Sequence, residues 1–293
     1  MHTLKARLEA GEFIGAPGVF DLISAKLADR TEAAALYVTG YGTVASHLGL
    51  PDAGLATYSQ MLERIEAICA GVSKPVIADA DTGYGGLLNV RHTVRGYERA
   101  GVAAIQLEDQ QFPKKCGHTP HRQVVTIDEM VQKIRVASDA RSRDDFLIVA
   151  RTDARSGLGL DEALRRGEAY ARAGADILFI ESPESEQELR RIGSHFDVPV
   201  LANMVHGGKT PMLSQQQLQD HGFQVAIYPS LGFLAMGHAL ASAYASLVAQ
   251  QPIDVGLYDF PAFHDLMGFE DVWAFERQYA ANPELATGAV HAR

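Results

Sequence analysis

The sequence contains few cysteines, no long apolar run and no long basic run. Only two of its 293 residues are cysteines, Cys69 and Cys116, which are too few for a disulfide framework or a cysteine-based zinc site. No run of eighteen consecutive apolar residues occurs, and the first residues lack the apolar core of a secretory signal. We therefore expect a cytoplasmic protein with no membrane partner.

The charge of the chain excludes a further class of partner. Its 26 lysines and arginines are outnumbered by 36 aspartates and glutamates, which gives a formal net charge of -10. Binding to nucleic-acid phosphates requires clustered basic residues, so we expect no nucleic-acid partner. With 47% hydrophobic and 21% charged residues, the composition is that of a globular protein with a large core.

Short apolar segments alternate along the chain with longer amphipathic ones. The apolar segments predict eight strands, at residues 13–16, 34–38, 75–78, 103–107, 146–150, 176–180, 198–202 and 224–228. The amphipathic segments predict helices, including those at 58–70, 90–100, 127–140, 161–173 and 215–221. Eight such units in about 250 residues indicate an α/β fold of the closed (β/α)8 TIM-barrel type, with a doubly wound sheet as the alternative.

The end of the chain differs from the repeating part. Pro252 ends a long apolar helix, and many aromatic and aliphatic residues follow it. A tail of this composition is too apolar to lie free in water. We therefore predict a catalytic barrel over residues 1–251 and a C-terminal helical extension over 252–293 that packs on a neighbouring subunit.

Polar residues follow the predicted strands at the points where they end. Catalytic groups of TIM barrels lie just beyond the carboxyl ends of the strands. One such residue is ordinary loop solvation, but six consecutive strands end in this way. The residues are Thr39 and Gly40, Asp79 and Asp81, Glu108 and Asp109, Arg151 to Asp153, Glu181, and Asn203.

Three acidic residues of this set predict a metal site. Asp79 and Asp81 stand at alternate positions in a glycine-rich segment, and Glu108 follows the next strand. Carboxylate oxygens suit Mg2+, or Mn2+, with water and substrate completing the coordination. The alternative is a solvated loop with an Asx turn. Arg151 offers a fork for a substrate carboxylate, or else an ion pair with Asp153 or Glu181.

The run from Lys114 to His118 places a thiol among basic residues. Neighbouring cations favour thiolate over thiol, so Cys116 is a candidate proton donor or acceptor, with Lys114 and His118 beside it. The alternative is a basic surface loop that happens to contain a cysteine. Cys69 falls in an amphipathic segment, where a buried structural thiol is expected.

Together the motifs resemble the carbon–carbon lyase branch of the isocitrate lyase and phosphoenolpyruvate mutase superfamily, which includes methylisocitrate and 2-alkylmalate lyases. The resemblance covers residues from about 12 to 250 and rests on six motifs in order. They are Gly-Leu-Pro-Asp at 49–52, Asp-Ala-Asp-Thr-Gly-Tyr-Gly at 79–85, Glu-Asp-Gln at 108–110, Lys-Lys-Cys-Gly-His at 114–118, Ala-Arg-Thr-Asp at 150–153 and Ala-Asn-Met at 202–204. It implies a Mg2+-dependent homotetramer whose terminal helices are exchanged between subunits.

The resemblance also implies roles for individual positions. Asp79 and Asp81 match metal carboxylates, which Asp52 and Glu108 support through water. Cys116 matches the acid that protonates the enolate released on cleavage, on a gating loop with Gly117. The positions matched to substrate binding are Thr39, Gly40 and Tyr41, which hold one carboxylate, and Arg151, Glu181 and Asn203.

Departures from the family pattern bear on the substrate. Methylisocitrate lyases, whose substrate has three carboxylates, carry arginines where this chain has Leu234 and, by a less certain alignment, a residue near Phe260. His206 replaces a glutamate of lyase relatives, and Pro229 stands where hydrolases place a hydroxyl residue. We therefore expect His206, Pro229 and Leu234 to line the substrate pocket. A third carboxylate buried without a cation is costly.

These features favour cleavage of 2,3-dimethylmalate or another 2-alkylmalate to pyruvate or a related 2-oxo acid and a short carboxylate. The alternatives are a methylisocitrate lyase, an oxaloacetate acetylhydrolase, a carboxyphosphonoenolpyruvate phosphonomutase and, from a different class, a barrel without catalysis that serves in binding.

Overall fold

Eight parallel strands form a closed barrel in chain order. The structure is a computed structural model that describes residues 3–117, 119 and 122–280. The strands are β1 (Ile14–Val19), β2 (Leu36–Val38), β3 (Val76–Asp79), β4 (Ala104–Glu108), β5 (Leu147–Thr152), β6 (Ile177–Ile180), β7 (Val200–Asn203) and β8 (Val225–Tyr228). The predicted TIM barrel is confirmed, and all eight predicted strands overlap these ranges.

The largest difference from the predicted strands is at β1. It continues three residues past the predicted end, because Pro17 pairs with Tyr228 of β8 and Gly18 pairs with Tyr37 of β2. Parallel strands bonded on both sides can include residues of low strand propensity, since the neighbouring ladders hold them in place.

Helices connect the strands and surround the barrel. They are α1 (Leu4–Glu9), α2 (Leu22–Asp29), α3 (Gly40–Leu48), α4 (Tyr58–Gly71), α5 (Leu87–Arg99), α6 (Ile127–Ala140), α7 (Arg155–Leu158), α8 (Leu160–Arg172), α9 (Glu186–Gly193), α10 (Gln215–Asp220), α11 (Leu231–Val248), α12 (Phe260–Met267) and α13 (Phe269–Tyr279). Several begin at capping residues. Thr126 accepts from Glu129 N at the start of α6, and Ser214 from Gln217 N at the start of α10.

Apolar side chains fill the barrel interior. Fully buried residues such as Ile14, Ile77, Val149, Phe179 and Val225 pack together there. A second cluster lies between the strands and helices such as α4, α5 and α6. Each fully buried aliphatic side chain contributes about 1.5–3 kcal/mol through its removal from water. The interior is thus a packed core, so the polar residues of the strands concentrate at their carboxyl ends.

The chain divides into two compact units between Met236 and Gly237. In the second unit Asp259 caps α12, since its carboxylate accepts from Ala262 N at 2.9 Å. Among the described residues, α11 alone is long and apolar enough to cross a membrane, with a mean hydropathy of 1.5. The boundary between residues 251 and 252 and the exchange of terminal helices remain predictions.

Candidate active site

Most of the predicted site residues line one cavity at the carboxyl ends of the strands, with a volume of about 210 Å³. They are Thr39, Tyr41, Asp52, Asp79, Cys116, Gly117, Arg151, Glu181, Asn203, His206, Pro229 and Leu234. Gly40, Asp81, Glu108 and Lys114 contact members of this set without lining the cavity. His118 lies outside the described residues.

A buried acidic cluster forms one side of the site. Asp79 accepts from the backbone N–H of Asp81 at 3.1 Å. The ammonium of Lys114 lies between Asp52 and Asp81, 2.6 Å from Asp81 Oδ1. Burial raises the pKa of Asp81 to about 6, against the lowering effect of Lys114. Lys114, expected beside the thiol, therefore directs its ammonium at carboxylates.

The loop after β3 has an unusual backbone. Asp81 and Tyr84 have positive φ angles of 49° and 58°, and Gly83 between them has a φ of 87°. Non-glycine residues rarely adopt this conformation, and such strain is concentrated at functional sites. Tyr97 supports the start of the loop by donating from its hydroxyl to Asp79 O at 3.2 Å.

The donor set of this cluster fits a divalent cation held by oxygen. Glu108 Oε1 is buried and has no hydrogen-bond partner among the described residues, and burial raises the pKa of this carboxyl well above its usual range. Among the described residues, no group of three or more His, Cys, Asp or Glu side chains is placed to hold a metal ion together. Mg2+ is commonly bound through one or two carboxylates and completed by water and substrate, so an open arrangement suits it.

Arg151 is held by several acidic groups. Its Nε and Nη2 donate to Asp153 at 2.9 and 2.8 Å, and Nη2 lies 3.6 Å from Glu181 Oε2. Its guanidinium also stacks over the ring of Phe179, 5.1 Å from the centroid. The predicted ion pair with Asp153 is therefore present, and Arg151 still borders the cavity.

Two further residues hold this arginine network: Asp109, which the sequence named as a strand-end candidate without a role, and Arg122, which it did not single out. Asp109 accepts from Thr152 Oγ1 at 2.7 Å and from Asp153 N at 2.9 Å. Arg122 forms a buried ion pair with Asp153 and donates to Ser182 Oγ at 3.3 Å. The sequence signal for Asp109 is its place in an acidic pair at the end of β4.

The cysteine loop lies against the arginine. The backbone N–H of Cys116 donates to Asp52 O at 3.1 Å. A Cβ atom added at Gly117 would stand 2.6 Å from Arg151 Nη2 and 3.2 Å from Glu181 Cδ. Gln110 fixes the preceding residue, because its amide bonds both Lys115 N and Lys115 O, at 3.0 and 2.9 Å. Cys116 and Gly117 thus line the cavity, and glycine permits the close contact with Arg151.

A helix N-terminus faces the acidic cluster. Thr39 precedes α3 and makes no side-chain capping bond. A Cβ atom added at Gly40 would lie 2.5 Å from Asp79 Oδ2, so glycine allows the helix to begin at this point. The first N–H groups of a helix have no helical acceptors and bind anions readily.

Part of the cavity lining is apolar. Tyr41 and Phe233 are in ring contact, with centroids 5.3 Å apart, and Val205 and Leu234 lie beside them in the lining. Of the lining residues in the described part of the chain, Arg151 is the one arginine or lysine.

Polar groups inside the barrel also reach the cluster. Tyr37 donates to Gln106 Oε1 at 3.1 Å, and Gln106 Nε2 donates to Asp79 Oδ1 at 3.3 Å. Both residues were missed as site residues. The available signal was a polar side chain within an otherwise apolar strand segment.

The barrel carries an acidic cluster and an arginine at the carboxyl ends of its strands. Active sites of TIM-barrel enzymes lie at this end of the barrel, so the fold and the site place the chain in this class of enzyme. The sequence profile of the phosphoenolpyruvate phosphomutase family matches residues 4–248. The chain therefore belongs to the phosphoenolpyruvate mutase and isocitrate lyase superfamily, as its motifs predict.

Two relatives are similar along nearly their whole length. The 2,3-dimethylmalate lyase of Eubacterium barkeri is 47% identical over 281 residues, which cover 94% of this chain and 97% of the relative. The 2-methylisocitrate lyase of Aeropyrum pernix is 41% identical over 272 residues, which cover 92% and 87%.

Two solved structures share the fold. A 2,3-dimethylmalate lyase superposes with a TM-score of 0.88 at 36% identity, covering 94% of this chain and 93% of that one. A phosphonopyruvate hydrolase in complex with oxalate and Mg2+ has a TM-score of 0.85 at 32% identity, covering 94% and 97%. Relatives of this chain thus include named lyases and a magnesium complex.

Proposed function

We propose that the chain is a Mg2+-dependent carbon–carbon lyase that cleaves 2,3-dimethylmalate, or another 2-alkylmalate, to pyruvate or another 2-oxo acid and a short carboxylate. The observation that carries this proposal is the composition of the cavity lining. Asp52, Asp79, Glu181 and Arg151 line the cavity together with the apolar side chains of Tyr41, Phe233 and Leu234. A substrate with two carboxylates and an alkyl group fits such a lining. The 47% identity to a 2,3-dimethylmalate lyase supports the same substrate class.

Asp79, Asp81 and Glu108 are the proposed metal carboxylates. The unpartnered oxygen of buried Glu108 supports this assignment. When bound, Mg2+ supplies Lewis-acid stabilisation of the substrate's 2-oxygen and adjacent carboxylate. Lys114 holds Asp52 and Asp81 in place by its ion pairs.

The reaction breaks the bond between C2 and C3 of the malate. A basic group of the cavity takes the proton of the 2-hydroxyl, and the C2 oxygen becomes the carbonyl of the 2-oxo acid. The electron pair of the C2–C3 bond moves to C3, which becomes part of a carboxylate enolate. Arg151 screens the negative charge that develops in the cavity, since its guanidinium is fixed by Asp153 before substrate arrives. Asn203 Nδ2 donates to Glu181 Oε2 at 3.1 Å and so orients this carboxylate beside the arginine.

Cys116 is the proposed acid that delivers a proton to C3. Cys116 and Gly117 line the cavity, and Gly117 packs close to Arg151, so the thiol borders the space in which the enolate forms. A thiol so placed can protonate the enolate.

The leading alternative is methylisocitrate cleavage. Its third carboxylate would need a cation, whereas the wall at Leu234 offers aliphatic and aromatic carbon. Leaving a carboxylate buried without a partner costs several kcal/mol. Pro229 in the lining likewise offers no hydroxyl of the kind expected for an acetylhydrolase.

The test is release of 2-oxo acid from purified protein, with and without Mg2+. The panel is 2,3-dimethylmalate, other 2-alkylmalates, methylisocitrate and oxaloacetate, with oxalate measured in parallel. We expect Mg2+-dependent cleavage of a dicarboxylate alkylmalate and poor cleavage of methylisocitrate. Preferred cleavage of methylisocitrate, or oxalate release from oxaloacetate, would contradict the proposal.

The quaternary structure belongs to the same proposal. We expect a cytoplasmic homotetramer in which the C-terminal helices pack on neighbouring subunits. Exposed apolar side chains on these helices support this, among them Leu247, Phe260 and Phe275, which are 64%, 71% and 63% exposed. Light scattering of the eluted protein should give a mass near four times 31.7 kDa, and a monomeric mass would contradict it.

A further inference from the structure

Ser182 is a strained residue beside the cavity that the proposed reaction has not used. It lies two positions past the end of β6, has a φ angle of 61° and is fully buried. Residues other than glycine rarely adopt a positive φ, and the residue before a proline, here Pro183, normally has extended backbone. Glycine would fit this backbone with less strain, so contacts of the serine side chain must offset a conformational cost.

Backbone strain of this kind is concentrated around the site. The described chain has four non-glycine residues with a positive φ, and they are Asp81, Tyr84, Ser182 and Gln250. The first two lie in the loop after β3, which carries proposed metal carboxylates. Ser182 follows β6 at the same end of the barrel. Such conformations persist only where the surrounding contacts enforce them, and they are typical of functional sites.

The hydroxyl of Ser182 joins three parts of the site. It lies 2.9 Å from Glu181 Oε1 and 3.3 Å from the backbone oxygen of Gly117. It also accepts from Arg122 Nη2 at 3.3 Å. A hydroxyl has one proton, so it donates to one of the two oxygens at a time, and the neighbouring guanidinium strengthens it as a donor. One side chain thus holds Gly117 and Glu181 close together.

These contacts bear on the position of the thiol. Gly117 directly follows Cys116, and the N–H of Cys116 donates to Asp52 O at 3.1 Å. The backbone is therefore anchored on both sides of the cysteine side chain, by Asp52 and by Ser182. Gly117 has no side chain of its own to fix it, so its backbone oxygen makes the contact.

We propose that Ser182 is a positioning residue for Cys116, because its hydroxyl fixes Gly117 relative to Glu181 and so directs the thiol at one face of the enolate. This inference rests on the proposed lyase reaction. Ser182 does not line the cavity and takes no part in the proton transfer itself. The thiol gives its proton to C3, the electron pair left by the broken C2–C3 bond forms the new C–H bond, and the thiolate regains a proton from water.

Two substitutions separate the hydroxyl from the backbone strain. Ser182→Ala and Ser182→Gly both remove the hydroxyl, but glycine adopts a positive φ without strain, so Ser182→Gly should melt at the higher temperature of the two. Both variants should nevertheless lose kcat equally, by about tenfold, because each loses the same hydrogen bonds. Pyruvate binding should change less than about twofold in either.

The face of the enolate that receives the proton is the most specific measurement. Cleavage of 2,3-dimethylmalate in D2O with Mg2+ gives propionate with one deuterium at C2, and a thiol in a fixed position delivers it to one face. NMR of a chiral ester of the propionate resolves the two enantiomers. We expect a single enantiomer from the unaltered protein and a mixture from both Ser182 variants, since a displaced thiol no longer selects one face.

Hydrogen–deuterium exchange measures the loop without substrate. The amide of Cys116, which donates to Asp52 O, should exchange about threefold faster in both Ser182 variants. Ser185→Ala is the matched control, because Ser185 lies in the same segment, caps α9 by accepting from Glu188 N at 3.2 Å and does not line the cavity. This variant should melt lower than the unaltered protein yet keep its exchange at Cys116, its kcat and its single enantiomer.

Each result decides the inference. Unchanged exchange at Cys116 in the Ser182 variants, a loss of kcat in Ser182→Ala alone, or a mixture of enantiomers from the unaltered protein would overturn it. Faster exchange in both Ser182 variants of a protein that cleaves no malate would support the positioning of the loop and overturn the proposed reaction. Cleavage of 2,3-dimethylmalate with unchanged kcat and a single enantiomer in both variants would do the reverse.

Discussion

Gly117 and Arg151 are in direct contact, and a Cβ atom added at Gly117 would lie 2.6 Å from Arg151 Nη2. The position of the cysteine loop and that of the cavity's arginine therefore depend on one another. A larger residue at 117 must displace either the loop or the guanidinium.

Gly117→Ala should lower kcat/KM for the alkylmalate by about 100-fold, because a displacement of about 1 Å at a catalytic group has effects of this size. Steady-state kinetics of Gly117→Ala and the unaltered protein measures this change in kcat/KM. Gly86→Ala is the control, since a Cβ atom there meets nothing within 4 Å. Near-normal turnover of Gly117→Ala would show that the loop need not pack on Arg151.

Cys116→Ala should lower kcat by about 1000-fold and change pyruvate binding less than about twofold, because the lost group donates a proton and binds no product. Cys69→Ala on α4 should retain full turnover. Turnover by Cys116→Ala at the normal rate would contradict the role of the thiol.

Iodoacetamide at pH 8.5 should modify Cys116 well before Cys69. Burial raises the pKa of the Cys69 thiol to about 12, so it carries little of the reactive thiolate at this pH. Peptide mapping by mass spectrometry identifies the labelled site. Preferential labelling of Cys69 would be the contrary result.

Arg122→Met should lower the free energy of unfolding by about 3 kcal/mol and also lower kcat/KM. Arg122 and Asp153 form a buried ion pair, with side chains 2% and 0% exposed, so the change leaves Asp153 undercompensated beside Arg151. Urea unfolding measures the loss. Arg165→Met removes an exposed ion pair with Glu162 and should cost no more than about 0.5 kcal/mol. Equal stability of the two variants would contradict the account.

Leu234→Arg should shift the preference of the enzyme toward methylisocitrate by about tenfold or more in the ratio of kcat/KM values, because it adds a cation to the apolar wall. Leu231→Arg is the matched control, since Leu231 lies on the same helix but does not line the cavity. An unchanged ratio in Leu234→Arg would mean that this wall does not face the third carboxylate.

The barrel could be predicted from the sequence because each strand is buried on both faces and reads as a short apolar run. The predicted segment 146–150 corresponds to β5, in which every residue is buried. Its true end, Thr152, lies two residues later, because Arg151 and Thr152 are polar yet still extend the ladder to β6.

The direction of side chains could not be predicted in the same way. Lys114 and Lys115 are equivalent in the sequence, but Lys114 is 3% exposed and binds carboxylates whereas Lys115 is exposed. Successive residues of an extended segment point to opposite sides, and the fold decides which side is the interior.

The contacts of Asp109 could not be predicted for a related reason. The sequence places Asp109 in the Glu-Asp-Gln motif beside Glu108 but gives it no partner. Its role depends on residues distant in sequence, such as Arg166, which donates to Asp109 at 2.9 Å. No local pattern encodes such a contact.

The most direct test of the central claim is a proton NMR assay of 2,3-dimethylmalate cleavage in D2O with Mg2+. We predict pyruvate and propionate in equal amounts, with one solvent-derived deuterium at C2 of the propionate, because the exchangeable Cys116 thiol protonates the enolate. The absence of pyruvate, with oxalate formed from oxaloacetate under the same conditions, would contradict the assignment as a carbon–carbon lyase.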